Sequence, residues 1–200
     1  MTPLINLFLA GGYVMWPILF ASIATVAIAV ERYRFYKASD SDMLLLKAKL
    51  PLLMHSGKVS EAKALCQKAG GILGDTLSDA IDKSHTSINL NDYIEGSLTQ
   101  AASHIRANLN YLSAIVTLSP LLGLLGTVTG MINAFDILSI SDGQPFAITG
   151  GVAEALIATA FGLFVAILAL IVHVWLSQMA NRLITNIETG ANHFLASRKG

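Results

Sequence analysis

The sequence predicts an all-α, polytopic membrane protein with three transmembrane helices and a helical cytoplasmic domain. Apolar residues make up 54% of the 200 residues and charged residues only 13%, about half the charged share of a soluble domain. The uncharged positions are clustered, because no Asp, Glu, Lys or Arg occurs in residues 1–30, 107–135 or 155–181. Each run exceeds the roughly 20 residues that a helix needs to cross the hydrocarbon core.

The three runs define the domain boundaries. The first predicts a periplasmic N-terminus and helix 1 in residues 1–31, with its span at about Trp16–Val30. The second and third predict spans at 111–138 and 152–178, joined by the short periplasmic loop 139–151. A cleaved signal peptide is the alternative for the first run. It is disfavoured because no basic residue precedes the run and two further spans follow.

The basic residues set the orientation. All 13 Lys and Arg residues lie either between Arg32 and Arg106 or after the third span. Since positive residues remain in the cytoplasm, we expect region 32–110 and tail 179–200 to be cytoplasmic. The zero net charge gives no indication of a nucleic-acid partner, whereas lipid contact follows from the three spans.

The cytoplasmic region 32–110 has helical periodicity and little strand-like alternation. A helix capped by Asn91 or Asp92 is expected to continue without interruption into the second span. The region has no P-loop, GxGxxG or HExxH motif, so we predict neither an enzyme nor a cofactor. The histidines are scattered and Cys66 is the single cysteine, so no metal site is expected and Cys66 is interpreted as a small buried residue.

The second span places small or hydroxylated residues three and four positions apart. Close helix packing explains such residues, and Gly126 with Gly130 forms a GxxxG pair. Packing does not explain why Thr127 lies deep in the span. The predicted small-residue face consists of Ser113, Val116, Pro120, Gly123, Thr127, Gly130 and Ala134.

The third span repeats the pattern with Ala155, Thr159, Gly162, Ala166, Ala169 and His173. Glu154 lies at its outer end and either faces water or is functional, since an ionisable group inside a membrane is costly. His173, near the inner end, is either a packing residue or a pore residue. Threonine hydroxyls both donate and accept, so two such helices could line a narrow passage. Two helices cannot enclose a pore, which predicts a homo-oligomeric ring.

Two motifs carry a family resemblance. SPLLGLLGTVTGMINAF, residues 119–135, followed by EALIATAFGL, residues 154–163, resembles the paired signature of the MotA/TolQ/ExbB proton channel family. GGYVMWPILFASIATVAIAVERYRF, residues 11–35, is similar to the first span of that family. The resemblance covers all three spans in the same order.

The resemblance implies a pentameric ring in the bacterial inner membrane. Its second and third helices would line a pore around the single-span helices of an ExbD-, TolR- or MotB-type partner, whose membrane aspartate carries protons. Thr127 and Thr159 match the pore threonines that face this aspartate, and Glu154 matches the glutamate near the periplasmic side. The positions expected to shape and pack the pore helices are Pro120, Gly123, Gly126, Gly130 and Gly162.

Within the family, three spans favour the ExbB and TolQ branches over the four-span MotA branch. The EALIATAFGL run is more similar to ExbB than to TolQ. ExbB energises the TonB-dependent import of siderophore iron, haem or cobalamin through the outer membrane. Thr129 stands where these proteins often carry tryptophan, a departure that bears on the branch and not on the pore.

The resemblance therefore predicts a proton-channel subunit of a motor complex that works with an ExbD-type partner and a TonB-type protein. One alternative is a TolQ-type subunit of the Tol-Pal system with TolR- and TolA-type partners. Another is a scaffold that uses the small faces only for packing. An intramembrane enzyme would need Glu154 and His173 to cooperate, and nineteen residues of helix separate them by roughly 28 Å.

Overall fold

The computed structural model describes residues 3–83, 89–140 and 148–199, and every regular element within these ranges is an α-helix. The all-α prediction is therefore confirmed. Three helical stretches, beginning at Met15, Leu90 and Thr149, are long and apolar enough to cross a membrane. The helices are α1 (Pro3–Ala10), α2 (Met15–Ser39), α3 (Met43–His55), α4 (Val59–Ala69), α5 (Gly71–Lys83), α6 (Leu90–Arg106), α7 (Leu109–Ile140) and α8 (Thr149–Lys199).

The chain divides into two compact units. The membrane unit comprises Met1–Val30 with Asn108–Trp175, and the helical unit comprises Glu31–Ala107 with Leu176–Gly200. Helix α8 is a single helix of 51 residues that contributes to both. The C-terminal segment that follows the third span thus continues the helix of that span.

The core of the membrane unit lies where α2, α7 and α8 meet. Val14, which immediately precedes α2, and Ile18 of α2 are buried with Val165 of α8, and Ile115 and Leu122 of α7 pack against them. Several large apolar side chains elsewhere in the unit are at least half exposed, as suits helices whose solvent is lipid. They include Phe20, Ile23, Val26, Leu118, Leu121, Val128, Phe164, Ile167 and Ile171.

The helical unit has its own apolar core. Leu46 of α3, Leu77 of α5 and Ile94 of α6 are almost fully buried. The last part of α8 packs closely here, because a Cβ at Gly190 would collide with Leu73 of α5 and lie 3.3 Å from the Cε of Met43. Cys66 is fully buried, as the sequence indicated.

Helix α6 ends before the membrane span begins. The prediction of a helix running without interruption into the second span is wrong, since α6 stops at Arg106 and α7 starts at Leu109. Asn108 adopts a left-handed conformation with φ 65°, which asparagine tolerates better than most residues. The cap is also displaced, because Asn89, and not Asn91 or Asp92, accepts a hydrogen bond from the backbone N–H of Asn91.

Distant side chains stabilise the end of α6. Its last carbonyls lack intrahelical partners. A guanidinium nitrogen of Arg32 donates to the carbonyl of His104 at 3.0 Å, and the Tyr36 hydroxyl donates to the carbonyl of Ile105 at 2.9 Å. Both donors lie on the last part of α2. Their hydrogen bonds satisfy the carbonyl groups that an uninterrupted helix would have used internally.

Candidate functional site

The candidate site is built on a line of close backbone contacts between α7 and α8, which we call the glycine seam. A Cβ placed on Gly162 would lie 2.7 Å from the Ser119 carbonyl oxygen and 2.9 Å from the Cα of Gly123. A Cβ on Gly123 would in turn lie 3.1 Å from the Cα of Thr159. Only residues without side chains allow the two backbones to approach so closely.

The two helices run antiparallel along the seam. At Gly126, a Cβ would collide with the Cβ of Ala158, and one at Gly130 would lie 2.9 Å from the Cβ of Ala155. Near the start of α8, a Cβ on Gly151 would lie 2.7 Å from the Cβ of Ala134. Some of the predicted small residues of the two spans therefore meet. The seam is defined by Ser119, Gly123, Gly126, Gly130 and Ala134 of α7 with Gly151, Ala155, Ala158, Thr159 and Gly162 of α8.

Thr159 links the two helices across the seam. Its hydroxyl donates to the backbone carbonyl of Gly123 at 2.9 Å, and the residue is half-buried. In hydrocarbon no water competes for this carbonyl. Because the hydroxyl proton is used in this bond, the two lone pairs of the Thr159 oxygen remain as acceptors.

Thr127 lies beside the seam and not within it. Its hydroxyl donates to the Leu124 carbonyl of its own helix at 2.7 Å, and the residue is half-buried. The buried line of α7 passes instead through Gly126, one position away from the predicted face. Pro120 is likewise half-buried and Ser113 is exposed, so part of the predicted face turns away from α8.

Glu154 lies over the turn between α1 and α2. A Cβ on Gly12 would collide with a carboxylate oxygen of Glu154 and would lie 3.2 Å from its Cγ. The residue is half-buried. Glu154 is thus held beside the first helices of the chain, a neighbourhood that spacing within span three alone could not indicate.

His173 lies on α8 nineteen residues after Glu154. It is half-buried, and its Nδ1 is buried without a hydrogen-bond partner among the described residues. The fully buried Ser119 hydroxyl also has no partner there. Ser119 was not selected from the sequence, although its position one turn before Gly123 on a small-residue line was the available signal.

The described ranges contain no group of three His, Cys, Asp or Glu residues that could hold a metal ion. In the helical unit, burial raises the pKa of the Cys66 thiol to about 11. The thiol is therefore neutral and unreactive at physiological pH. The polar groups that these residues bring to the site are hydroxyl groups, backbone carbonyls, the Glu154 carboxylate and the His173 imidazole.

Comparison with known proteins gives one family and several relatives. A model of the MotA/TolQ/ExbB proton channel family matches residues 67–189. A biopolymer transport protein, ExbB-like 1 of Synechocystis sp., is 34% identical over 180 residues, covering 84% of this chain and 68% of the relative. ExbB-like 3 of the same organism is 32% identical over 168 residues, covering 82% and 80%.

A Tol-Pal system protein, TolQ of Pseudomonas aeruginosa, is also similar. It is 36% identical over 100 residues, which cover 50% of this chain and 43% of that protein. Similarity thus extends to relatives named for both branches that the sequence had favoured.

Proposed function

The chain belongs to the MotA/TolQ/ExbB proton channel family, and we propose that it is a proton-channel ring subunit of an energy-transducing motor complex in the bacterial inner membrane. It acts as a transport component and not as an enzyme. Proton-motive force, used together with an ExbD-type partner, would drive work on a TonB-type protein and so energise import through the outer membrane.

The small number of pore helices in one chain supports the proposed ring. One copy provides α7 and α8, whose backbones make direct contact along the seam. This contact supports a pathway that lies between copies, on surfaces adjacent to the seam. A ring of copies, five by the family resemblance, would surround the membrane aspartate of the partner.

One observation carries this proposal: half-buried hydroxyl groups lie at the glycine seam in the midst of apolar helices. Thr159 and Thr127 both donate to backbone carbonyls. Their oxygens can accept a hydrogen bond from water or from a protonated carboxyl group, whereas a fixed charge would cost several kcal/mol at this depth. Such acceptors would stabilise the partner's aspartate in its protonated form between proton uptake and release.

Glu154 would shape the outer entrance of the pathway, and His173 would lie towards its inner end. Pro120 and the seam glycines would position the two threonines by fixing how α7 and α8 pack. These roles combine the family resemblance with the positions of the side chains in the membrane unit.

The test is replacement of Thr159 by valine, which keeps the shape and removes the hydroxyl. Energised uptake should be lost, because no acceptor oxygen remains at this position. The interhelical bond to Gly123 is lost as well, but such bonds in membranes average only about 0.6 kcal/mol, so the ring should still assemble. Uptake is measured with a TonB-dependent substrate, and assembly by native electrophoresis.

Thr159→Ser is the matched control, since it restores the hydroxyl and should restore uptake. Normal uptake by the Thr159→Val ring would refute the pore role. It would favour a scaffold that uses the seam only for packing, for which the Gly123 and Gly162 contacts provide a structural reason. In a scaffold, Gly162→Leu should abolish assembly while threonine substitutions are tolerated.

A TolQ-type subunit is the second candidate, favoured by the similarity to the Pseudomonas aeruginosa protein. The branch is decided by the partner. Cross-linking in native membranes followed by mass spectrometry should capture ExbD- and TonB-type proteins under the first proposal, and TolR- and TolA-type proteins under the second.

A further inference from the structure

The carboxyl group of Glu154 lies where a side chain at position 12 would project, and position 12 is a glycine. The Cγ, Cδ and one oxygen of Glu154 all occupy the space that a Gly12 side chain would fill, with the Cδ 2.8 Å from the position of a Cβ. The terminal half of the glutamate side chain thus lies next to Gly12, on the side where a side chain would project. The three atoms nearest to a Cβ at Gly12 all belong to Glu154, so the carboxyl end of the side chain packs directly against this turn.

The turn that carries Gly12 is itself firmly anchored. Val14 is 3% exposed, and Met15 and Ile18 are each 1% exposed, so the start of α2 cannot move without opening the core of the membrane unit. Gly11 is also buried, and a Cβ there would lie 3.0 Å from Ile157, one turn beyond Glu154 on α8. Phe8 of α1 packs edge-on against Trp16 of α2, with the two ring centroids 5.5 Å apart.

We propose that Gly12 is a positioning residue that fixes the Glu154 carboxyl group at the start of α8. The absence of a side chain provides the space, and the anchored α1–α2 turn closes it on one side. One consequence of the inference rests on the proposed function: if Glu154 lies at the outer entrance of the proton pathway, the α1–α2 turn determines the position of that carboxyl group at the entrance. The placement itself is independent of that function.

The backbone of Gly12 explains why no other residue serves equally well. Its φ of 73° lies in the left-handed region, which glycine adopts without the steric cost that a side chain brings. Two further glycines, Gly57 and Gly70, share a positive φ but have nothing within 4 Å of a Cβ. Substitution at those positions therefore tests backbone strain alone, whereas substitution at Gly12 tests strain together with displacement of Glu154.

The experiment measures the reactivity of Glu154 in native membranes. The full chain is treated with a water-soluble carbodiimide and glycine ethyl ester, and the labelled fraction of Glu154 is measured by peptide mass spectrometry relative to Asp136. Gly12→Ala and Gly12→Asn should each raise the labelling rate of Glu154 at least threefold. Both add a Cβ that moves the flexible carboxyl end towards water, and asparagine also tolerates the positive φ. Gly57→Ala and Gly57→Asn should leave the rate unchanged.

Unchanged or slower labelling of Glu154 in both Gly12 variants would overturn the inference. If both variants fail to accumulate while the Gly57 variants do accumulate, each is combined with Glu154→Ala. Recovery in the double variant supports the inference, because the clash is then with Glu154, and failure to recover overturns it. Substrate uptake is measured in parallel. Faster labelling with normal uptake would support the positioning of Glu154 by Gly12. It would also show that the position of Glu154 is not needed for the proposed proton pathway.

Discussion

At the scale of single residues, the membrane unit distinguishes between threonines that look alike in the sequence. Thr127 and Thr129 both donate to carbonyls of their own helix, at 2.7 Å and 3.0 Å. Both are half-buried. Two positions along a helix differ by about 200° in direction, so the two hydroxyls lie on different sides of α7.

This difference provides a matched pair of substitutions. Thr127→Val should reduce energised uptake at least tenfold, because the proposed acceptor beside the seam is removed. Thr129→Val should leave uptake within about twofold of the rate of the unmodified protein, since it removes an equivalent intrahelical hydrogen bond on a side of α7 away from Thr127. Both rates are measured at equal protein levels in a strain that lacks the native gene. Equal losses in the two variants would assign the effect to helix stability.

Cys66 illustrates how burial alone controls a titratable group. Burial raises its pKa to about 11, whereas an exposed thiol titrates near 8.5. Since the folded protein holds the proton more tightly, this contribution to stability is complete below about pH 8.5 and is lost as the pH rises through about 11. At pH 8 the lower thiolate fraction alone should slow alkylation of the folded protein by iodoacetamide at least about 100-fold relative to the denatured chain. Rates that differ by less than tenfold would contradict the burial.

At the scale of elements, the seam makes a distinct prediction for its glycines. In Gly162→Ala the new methyl group would meet backbone atoms, the Ser119 oxygen at 2.7 Å and the Gly123 nitrogen at 3.0 Å. Such overpacking costs typically about 1–3 kcal/mol. We therefore expect a lower Tm for the detergent-solubilised variant.

Gly150→Ala is the control in the same helix, because nothing lies within 4 Å of a Cβ there. It should leave the Tm unchanged or slightly raised, since alanine favours helix more than glycine. If Gly162→Ala were equally stable, the close approach of α7 and α8 would be incorrect.

The elements also show what the sequence could and could not predict. The spans were evident because uncharged runs of this length have few other uses, and only part of the predicted small-residue face of α7, namely Gly123, Gly130 and Ala134, lies against α8. Gly126 was predicted as a packing residue through its GxxxG pair with Gly130, but it was left out of the predicted face, where Thr127 stood instead, because helical periodicity leaves an uncertainty of about one residue until the partner helix is known.

The interruption at Asn108 was missed for a different reason. No glycine or proline marks it, and the carbonyls it leaves are satisfied by Arg32 and Tyr36, about 70 residues earlier in the chain. In the same way, only the fold brings Gly12 to Glu154. Local patterns report on helix formation and apolar faces, whereas contacts between distant segments depend on the tertiary fold.

At the scale of the whole molecule, the distribution of basic residues predicts the orientation in the membrane. Cys66 is the single cysteine, so a Cys66→Ala chain can carry one reporter thiol at a time. In intact spheroplasts an impermeant maleimide should label Gly150→Cys, in the predicted periplasmic segment, and leave Lys68→Cys unlabelled. Labelling of Lys68→Cys should appear only after the membrane is opened. The opposite pattern would reverse the orientation.

The glycine seam also determines how the membrane unit responds to force. If α8 slid by one turn along α7, about 5.4 Å, either Ala158 or Ala166 would arrive where Gly162 now lies. That site has a backbone oxygen 2.7 Å from the position of a Cβ, so a methyl group there would be overpacked. The two helices should consequently move under load as one rigid body. Mechanical strain generated in a working complex would then be transmitted to contacts outside the pair and not absorbed within it.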